Sequence, residues 1–425
     1  MKLEDIITDE IRRSVAFFLD FTNLKPGSTG FGMTADSTKT PKRASIASVG
    51  YALTAWVIAA ERSILLKDTA RLITAGTLRT LLQNTCHYKG FFAHFLDTET
   101  GERFRKCEFS TIDTAICLNG VITAAAYFHD DEITELAEAL LDRVDWGFLV
   151  FEQDDKSLFH MSYNPDRGGS YVTGEPGFIS QWNNASEQKM MYLLAAKNLG
   201  SVQARKLYAG FSRDIGEYQG KQFIINPLGS LYAYLCTEAW LDVRKYLDPY
   251  GVYWFENLRL ATLANRQFCL ENAEKYRTYL ANSWGISSGD SPSGYAVFSS
   301  LPCFGKPYHD GTVSIWSAIA CLPVVPAETS ILIEYLYTKH PQTYGKYGFF
   351  SGYNLDAQPP WYSQAVYGIE KGCSMIMLEN YLTGLIWDVY TNCPYIKNAL
   401  NILGFTEKVI PNISTKEIIE PGEAI

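Results

Sequence analysis

Residues 45–62 have the sequence SIASVGYALTAWVIAAER, and this stretch decides the fold class. Its large apolar side chains recur every three or four residues, which is the spacing of one face of an α-helix. That face consists of Ile46, Val49, Leu53, Trp56, Val57 and Ala60. We therefore predict a helix over this stretch.

The same period returns along the chain, so that helix follows helix. It is clear at 112–128, 133–145 and 186–198, and weaker at 230–242, 257–270, 313–321 and 376–388. The loops between them, such as 160–183 and 282–312, are long for a compact domain, and loops of that length usually carry function. Paired helices with long loops on one side are typical of an α/α toroid, so the sequence predicts an all-α fold.

The domain organisation follows from the absence of a linker. No Ser/Gly-rich or Pro-rich stretch separates the helices, so we predict one domain. Residues 1–44 are expected to form an N-terminal helix and an extended loop, the loop being KPGSTGFGMTADSTKTPK at 25–42. Residues 45–409 are expected to form the helical domain, and residues 410–425 a frayed tail.

Composition excludes several classes of partner. The chain is 47% hydrophobic and 20% charged, as expected for a globular protein with a substantial core. Its net charge of −9, without a Lys/Arg cluster, argues against nucleic acid. No apolar run is long enough to predict a membrane span. The start, MKLEDIITDE, lacks the features of a signal peptide, so a cytoplasmic location is expected.

Several chemistries lack their motifs. The six histidines form no HExxH or HxxxH pair, so no metal is expected. Neither phosphate-binding glycine motif is present, so no nucleotide cofactor is expected. The segment GISSG at 285–289 matches GxSxG, but it lies in a long loop and not between a strand and a helix, so we interpret it as a chance match.

After these exclusions, the remaining candidates for catalysis are acidic residues that lie next to aromatic, amide and small residues. In CEFSTIDTA, Glu108 and Asp113 precede or begin an apolar helix, where Ser110 is placed to cap and Asp113 to complement the helix dipole. A cap is one interpretation, and a carboxylate held at the mouth of a cleft is the other. Glu187 likewise begins a helix, five residues after Trp182, whose ring offers a face for sugar stacking.

Further acids have similar neighbours. Trp284 and Asp290 lie in the loop segment NSWGISSGDSPSGY, where a turn-capping role for the Asp is the alternative. Two apolar helical segments contain Glu256, Asn257 and Arg259, and Glu379 and Asn380. A buried Glu needs a partner. Several acids reaching one aromatic cleft are what cleavage of a glycosidic bond requires, since one protonates the leaving oxygen and another activates water or attacks.

At these residues the sequence resembles the glycoamylase-like domain of bacterial proteins, which includes the endo-β-1,2-glucanases of glycoside hydrolase family 144 and the cyclising domain of cyclic β-1,2-glucan synthases. The likeness runs from about Ser45 to Phe405. The motifs that carry it are SIASVGYALTA, YKGFFAHFLDTETGER, CEFSTIDTA, LLDRVDW, WFENLRLATLANR, WGISSGDSP, HDGTV, YGKYGFF and MLENYLTGLIW. The resemblance implies an (α/α)6 toroid with its cleft at the N-terminal ends of the inner helices.

The resemblance also implies roles for single residues. ASEQKMM matches the segment that holds the family's general acid, which puts that role on Glu187, and Asp113 matches an acid that looks essential in the glucanases. Where the cyclising domains have WGISE, this chain has Ser288 in place of the Glu, which argues against a retaining mechanism. Asp290 matches an Asp of the glucanases.

At two places the chain departs from the family's motifs in a way that would change the preference of the sugar subsites. The family's DAFN is SGYN at 351–354, and its IDQG is IEKG, which contains Glu370 and Lys371. The catalytic candidates are thus Glu187, Asp113 and Asp290. The candidate substrate-binding residues are Glu108, Trp182, Glu256, Asn257, Arg259, Trp284, Asp310, Trp361, Glu379 and Asn380.

We therefore expect an inverting hydrolase of β-linked glucan or gluco-oligosaccharide, most directly the β-1,2-linked form, with Glu187 as the acid and Asp113 or Asp290 as its partner. The alternative is a glycan-binding or phosphorolytic relative on the same toroid, for which His309 and Arg259 could bind the anion. A scaffold of helical repeats would show a period of about 34–47 residues, and none is found.

Overall fold

The structure is a computed structural model that describes residues 2–166 and 177–408. It is a helix-rich single domain, which confirms the coarse fold prediction. The α-helices are α1 Leu3–Phe21, α2 Ile46–Glu61, α3 Lys67–Gln83, α4 Thr111–Phe128, α5 Asp131–Asp142, α6 Lys189–Gly210, α7 Tyr232–Trp240, α8 Trp254–Glu271, α9 Ile315–Ala320, α10 Pro326–Lys339, α11 Gly368–Leu382, α12 Leu385–Asn392 and α13 Pro394–Leu403.

Short antiparallel strands connect the helices. They are β1 Arg43–Ser45, β2 His87–Tyr88, β3 Phe91–Phe92, β4 Phe95–Asp97, β5 Phe109–Ser110, β6 Val150–Gln153, β7 Lys156–Asn164, β8 Gly177–Gln181, β9 Ile215–Tyr218, β10 Lys221–Ile224, β11 Tyr246–Leu247, β12 Ser288–Ser291, β13 Gly294–Val297, β14 Val313–Ser314, β15 Tyr344–Gly345, β16 Gly348–Phe349, β17 Gly352–Asn354, β18 Trp361–Tyr362 and β19 Thr406–Glu407. The prediction of an all-α chain omitted these strands, because all but β7 have only two to five residues, too few to show an alternating pattern. The nine residues of β7 are mostly buried on both faces and so do not alternate either.

Every predicted helical segment overlaps a helix of the structure. One of them, however, was predicted as a single helix and belongs to two. Residues 376–388 cover the end of α11 and the start of α12, and Gly384 between them has a φ of 74°. That left-handed conformation ends the helical path. The sequence did not predict α3, α10 or α13. Each of them buries only a narrow stripe, which in α10 is Thr329, Leu332, Ile333 and Leu336. The tail at 410–425 lies outside the described residues.

Helix α2 is the centre of the core. Its side chains from Ile46 to Ala60 are all buried, so α2 touches protein on every side. It packs against α4 on one side and against α11 on the other, and α11 also packs against α9. A helix that is apolar all round is expected in such a position.

Two glycines allow α2 and α4 to approach closely. A methyl group on Gly120 would lie 2.1 Å from the backbone oxygen of Gly50, and one on Gly50 would lie 2.4 Å from the backbone oxygen of Ile116. Both distances are far below van der Waals contact. The backbones of the two helices are therefore in direct contact, which fixes their separation.

Strands lead directly into three of the central helices. β1 ends at Ser45 and α2 begins at Ile46, β5 ends at Ser110 and α4 begins at Thr111, and β14 ends at Ser314 just before α9. In the sheet of β5, β6, β7 and β8, Ser110 is paired with Ser162 of β7. These junctions place strand side chains beside helix N-terminal ends, where the candidate site lies.

Helix α4 is long and apolar enough to cross a bilayer by length and composition, but 78% of that window is buried inside the domain. The core helix of a globular protein passes the same test. We therefore interpret α4 as a core helix.

Gly120→Ala should destabilise the protein although Ala is the better helix former, because the added methyl cannot fit against Gly50 without moving α2 and α4 apart. We expect a loss of about 1–3 kcal/mol in the free energy of unfolding by urea. Gly147→Ala is the control, because its methyl would meet only Asp145 Oδ1 at 3.4 Å and Leu199 at 4.0 Å. Equal stability of the two variants would contradict the close packing.

Candidate active site

A cavity of about 490 Å³ opens at the N-terminal ends of the central helices. Four helices line it with residues of their first turns or just beyond, namely Ile112, Asp113 and Ile116 of α4, Tyr232 and Cys236 of α7, Trp316 of α9, and Ile369 and Cys373 of α11. The remaining wall includes His94, Glu108, Met161, Ile179, Trp182, Glu187, Ser288 and Tyr295. The prediction that the long loops carry function agrees with this wall, since 160–183 and 282–312 both contribute to it.

Glu187 lies in the turn just before α6, whose first residue is Lys189. Its backbone oxygen accepts a hydrogen bond of 3.0 Å from Thr237 Oγ1, which attaches the turn to α7. Loss of water around the carboxyl and the negative charge of Asp113 raise the pKa of Glu187 to about 8, although Cys236 and Lys189 act in the opposite direction. The carboxyl is thus a proton donor at neutral pH.

Asp113 faces the same cavity from the first turn of α4. Ser110 caps the helix, since its Oγ accepts the Asp113 N–H at 3.2 Å and donates to Asp113 Oδ2 at 2.5 Å. The cap interpretation and the cleft interpretation therefore both describe Asp113. Its other oxygen, Oδ1, lies 3.8 Å from His94 Nε2.

Glu108 lies next to His94 on the side of the ring opposite Asp113. Glu108 Oε1 is 2.7 Å from His94 Nδ1, and the Glu108 side chain is only 4% exposed. Burial would raise the pKa of Glu108, but the hydrogen bond and charge of His94 lower it below its ordinary value. Burial likewise opposes protonation of His94, yet Asp113 and Glu108 raise the pKa of His94 to about 9. The cavity thus contains an imidazolium between two carboxylates.

Asp290 lies at the edge of the site in the β12–β13 hairpin, and both oxygens of its carboxylate already have partners. Lys39 Nζ is 2.8 Å from both of its carboxylate oxygens. Ser363 Oγ donates to Oδ2 at 2.7 Å, and Tyr367 OH donates to Oδ1 at 3.4 Å. The Asp290 side chain is 2% exposed and, unlike Ser288, does not line the cavity. The turn-cap alternative does not describe it.

Glu370 lies near Asp290 in the first turn of α11 and is 2% exposed. Its Oε1 has no hydrogen-bond partner among the described residues. Burial raises the pKa of Glu370 to about 8, with a further contribution from Asp290. The sequence indicated Glu370 only as a departure from the family, so its buried position is a new observation.

Two tryptophans form aromatic walls of the cavity. Trp182 Nε1 donates to Thr111 Oγ1 at 3.2 Å, and Trp316 Nε1 donates to the Ser288 oxygen at 2.9 Å. Because their polar edges are bound, the rings are held in place with their carbon faces available. Trp182 is where the sequence analysis expected it, and Trp316 was missed.

Several predicted substrate-binding residues have other partners, which corrects their assignment. Trp284 is fully buried in the core. Glu256 and Arg259 form a partly exposed ion pair of 2.7 Å with each other on α8. Asn257 holds the backbone of Ile224, with its Oδ1 accepting the N–H at 2.7 Å and its Nδ2 donating to the oxygen at 3.0 Å.

Glu379 and Asn380 on α11 lie near the end of that helix that is farther from the cavity. Glu379 is fully buried and binds Arg62 and Thr383, and Asn380 holds the Ala239 oxygen and the Trp387 N–H. These contacts connect helices and do not face the cavity.

Two further candidates lie elsewhere. Trp361 lines a separate surface pocket with Pro292 and Pro359. Asp310 caps its own turn by accepting the Thr312 N–H at 2.8 Å. No residue in 2–166 or 177–408 belongs to a His, Cys, Asp or Glu group suited to a metal ion.

His94 is the main residue that the sequence analysis missed. It lies within a quoted motif, but a single histidine between aromatic residues gives no signal by itself. Its partner, Glu108, is 14 positions away, and the two come together because the His94 N–H donates to the Glu108 oxygen at 2.9 Å. That pairing of chain segments depends on the tertiary fold.

Fold and cavity together define a helix-rich domain with an acidic, aromatic-walled site at its helix N-terminal ends. Residues 179–394 match the profile of the Glycoamylase family, whose description is "Putative glucoamylase". The chain belongs to this family.

One relative and two solved structures are similar to this chain. An exo-β-1,2-glucooligosaccharide sophorohydrolase (non-reducing end) of Parabacteroides distasonis is 22% identical over 358 residues, 76% of this chain. The chain spans about half of that relative's length, 48%. An endo-β-1,2-glucanase of Chitinophaga pinensis in complex with sophorotriose and glucose superposes with a TM-score of 0.82 at 20% identity, covering 96% of this chain and 99% of that one. A β-1,2-glucanase of P. distasonis gives 0.79 at 19%, covering 95% and 60%.

Glu187→Gln should make the protein more stable than the parent at pH 8 but not near pH 4. The folded state keeps the proton up to about pH 8, and the unfolded chain releases it near 4.5. Between these values the folded state binds more protons, so its stability falls as pH rises. The neutral amide removes that loss, and thermal unfolding across this range measures it.

Glu256→Gln is the matched control for this prediction. The pKa of Glu256 is lowered by Arg259, so the same substitution removes a favourable interaction at high pH instead of an unfavourable one. If both variants changed in the same direction with pH, the raised pKa assigned to Glu187 would be wrong.

Proposed function

We propose that this chain is a glycoside hydrolase that cleaves β-1,2-linked glucan or gluco-oligosaccharides by inversion, with Glu187 as the general acid. The observation that carries the proposal is the place of the Glu187 carboxyl, whose pKa is raised to about 8 by loss of water and by Asp113, in a cavity lined also by Asp113, Trp182 and Trp316. A pair of carboxyl groups with opposite protonation states is what glycosidic cleavage uses.

The finer architecture that we propose is an (α/α)6 toroid. The inner ring would consist of α2, α4, the first half of α6, α7, α9 and α11. Contacts of α4 with α2 and α6, of α9 with α7 and α11, and of α11 with α2 support this ring. Gly200, with a φ of 74°, divides α6 into two helical halves, the second of which would belong to the outer layer.

In this mechanism Glu187 donates its proton to the glycosidic oxygen while water attacks the anomeric carbon from the other face. A carboxylate, acting directly or through a sugar hydroxyl, accepts the proton of that water. Asp113 fits the role because it lines the cavity and its Oδ1 lies 3.8 Å from His94 Nε2. Asp290 fits less well, since Lys39, Ser363 and Tyr367 occupy its oxygens.

Ser288 supports water as the attacking group. Its side chain lines the cavity at the position where the resemblance places a Glu in the retaining cyclising domains. A hydroxyl there cannot replace the carboxylate, so no group at this position would perform the second step of a retaining reaction.

The choice of linkage rests on the relatives. The names of the similar sophorohydrolase and glucanases specify β-1,2-linked glucans, and one of those structures contains sophorotriose and glucose. Since the identities are low, linkage is the first point to test.

Phosphorolysis has less support from the site. The cationic side chain in the cavity lining, His94, lies between Glu108 and Asp113, which leaves the group acidic and unfavourable for phosphate. Arg259 is paired with Glu256 on α8. His309 packs against Phe268 and Tyr279 and does not line the cavity.

Pure protein should release new reducing ends from β-1,2-glucan or sophoro-oligosaccharides and much less from β-1,3-, β-1,4- or β-1,6-glucans. Glu187→Gln should lower that rate by about 10²–10⁴-fold, because the amide cannot donate the proton. Glu256→Gln should retain it. Absence of reducing ends across the panel, or a sugar 1-phosphate formed only with phosphate, would exclude hydrolysis.

The first product released from a β-linked glucan should be the α-anomer, because a single displacement by water inverts the anomeric centre. Proton NMR of the anomeric signals during the first turnovers, before mutarotation, gives the result. An initial β-anomer would mean retention, and the role assigned to Ser288 would then be wrong.

A further inference from the structure

His94 is the charged centre of a three-residue arrangement that joins two sides of the cavity. Its Nδ1 lies 2.7 Å from Glu108 Oε1, and its Nε2 lies 3.8 Å from Asp113 Oδ1. The ring stacks on Phe95 with centroids 3.9 Å apart and planes at 17°. Both ring nitrogens therefore face carboxylates, and the aromatic neighbour fixes the ring's plane.

We propose that His94 is a positioning residue that orients the Asp113 carboxylate beside Glu187, and that Glu108 holds the His94 ring in the position where it does so. This inference rests on the proposed function, because it concerns the carboxyl pair that would cleave the substrate. It adds two residues with separate roles to that pair.

The charges around the cavity show why a cation is needed there. Glu108, Asp113 and Glu187 all line one space, and Asp36 acts on His94 from the N-terminal loop. Three carboxyl groups so close cannot all ionise without a counter-charge. Of the cations nearby, Lys189 is committed to Glu238 at 3.1 Å, and Arg103, which also acts on Glu108, contacts Asp166.

The backbone contacts of His94 do not explain its side chain. Its N–H donates to the Glu108 oxygen at 2.9 Å, and its oxygen accepts the Ile46 N–H at 3.1 Å at the start of α2. Almost any residue could make these two bonds. The imidazole is therefore not needed for these backbone contacts. Its Nδ1 is hydrogen-bonded to Glu108 Oε1 at 2.7 Å, and its Nε2 faces Asp113 Oδ1 at 3.8 Å.

The proton balance of the reaction is simple in this arrangement. The water that attacks the anomeric carbon gives one proton to Asp113, and Glu187 gives one proton to the leaving oxygen. His94 keeps its proton throughout, so it acts only through Asp113. Afterwards Asp113 releases its proton and Glu187 regains one through solvent.

Glu108 has a second capability. Its Oε2 is buried and has no hydrogen-bond partner within the described residues, although the side chain lines the cavity. The Glu108 side chain would have to turn towards the cavity before a sugar hydroxyl could donate to this oxygen, as its predicted place among the substrate-binding residues requires. Glu108→Gln should thus weaken substrate binding as well as reduce the charge on His94.

His94→Gln tests the proposal through the pH profile of kcat. Without the cation, the carboxylates are easier to protonate, so the acidic limb should move up by about 1–3 pH units. Activity should be up to about tenfold below the parent near pH 5.5 and should recover towards pH 7.5. His160→Gln is the matched control, because His160 bonds to the Ser180 backbone oxygen at 3.2 Å and does not line the cavity.

A second measurement does not depend on activity. In protein labelled at histidine, NMR should show the His94 ring charged at pH 7, and Glu108→Gln should lower the pH at which it loses its proton. His94→Gln identifies the signal and, if that variant does not fold, Glu108→Gln carries the test.

The outcomes separate this inference from the proposed function. A neutral His94 ring at pH 7, or a loss of kcat in His94→Gln that is equal at every pH, would overturn the positioning role. A charged ring that responds to Glu108→Gln in a protein inactive on every glucan would support the arrangement while the proposed reaction failed.

Discussion

The contact on which the site depends is the one between the backbones of α2 and α4 at Gly50 and Gly120. Since neither helix has a side chain there, the separation of their axes is set by backbone atoms. Helix α11 is fixed against α2 in a similar way, because a methyl on Gly372 would lie 2.2 Å from the ring of Tyr51. Gly120 lies about one turn beyond Ile116, which lines the cavity, and Gly372 lies next to Cys373, which also lines it. The two contacts therefore determine how far apart the first turns of α4 and α11 stand.

That geometry explains how much of the site the sequence could predict. Periodicity identified α2 and α4, because helices buried on every side have long apolar runs. Acids next to such runs were then candidates, and Asp113 and Glu187 do face the cavity. Periodicity does not say which end of a helix faces a cleft, however. Glu370 and Glu379 lie nine residues apart on α11, about 13 Å along its axis, and the cavity is at the end nearer Glu370.

The residues that prediction missed share one physical cause. His94 meets Glu108 and Asp113 only after a strand pairing has formed, and Lys39 reaches Asp290 from 251 positions away. Such pairs depend on tertiary contacts that leave no mark on the local sequence. The incorrect substrate-binding assignments have the complementary cause. Buried polar residues such as Asn257 and Glu379 need partners, and inside a domain those partners are more often backbone groups and arginines than a ligand.

The acid and its partner are distinguished by their surroundings more than by residue type. Asp113 lies in the first turn of α4, where Ser110 caps the helix and donates to its carboxylate and where His94 Nε2 lies 3.8 Å from its Oδ1. Glu187 lies two residues before α6, outside the first turn, where the loss of water dominates and the proton stays. Glu370 shows that a first-turn position alone is insufficient, since it also keeps its proton to about pH 8 when one oxygen has no partner. Asp113 differs from both glutamates in its contacts, because it has a capping serine and the His94 ring beside it, whereas burial without such partners raises the pKa values of Glu187 and Glu370.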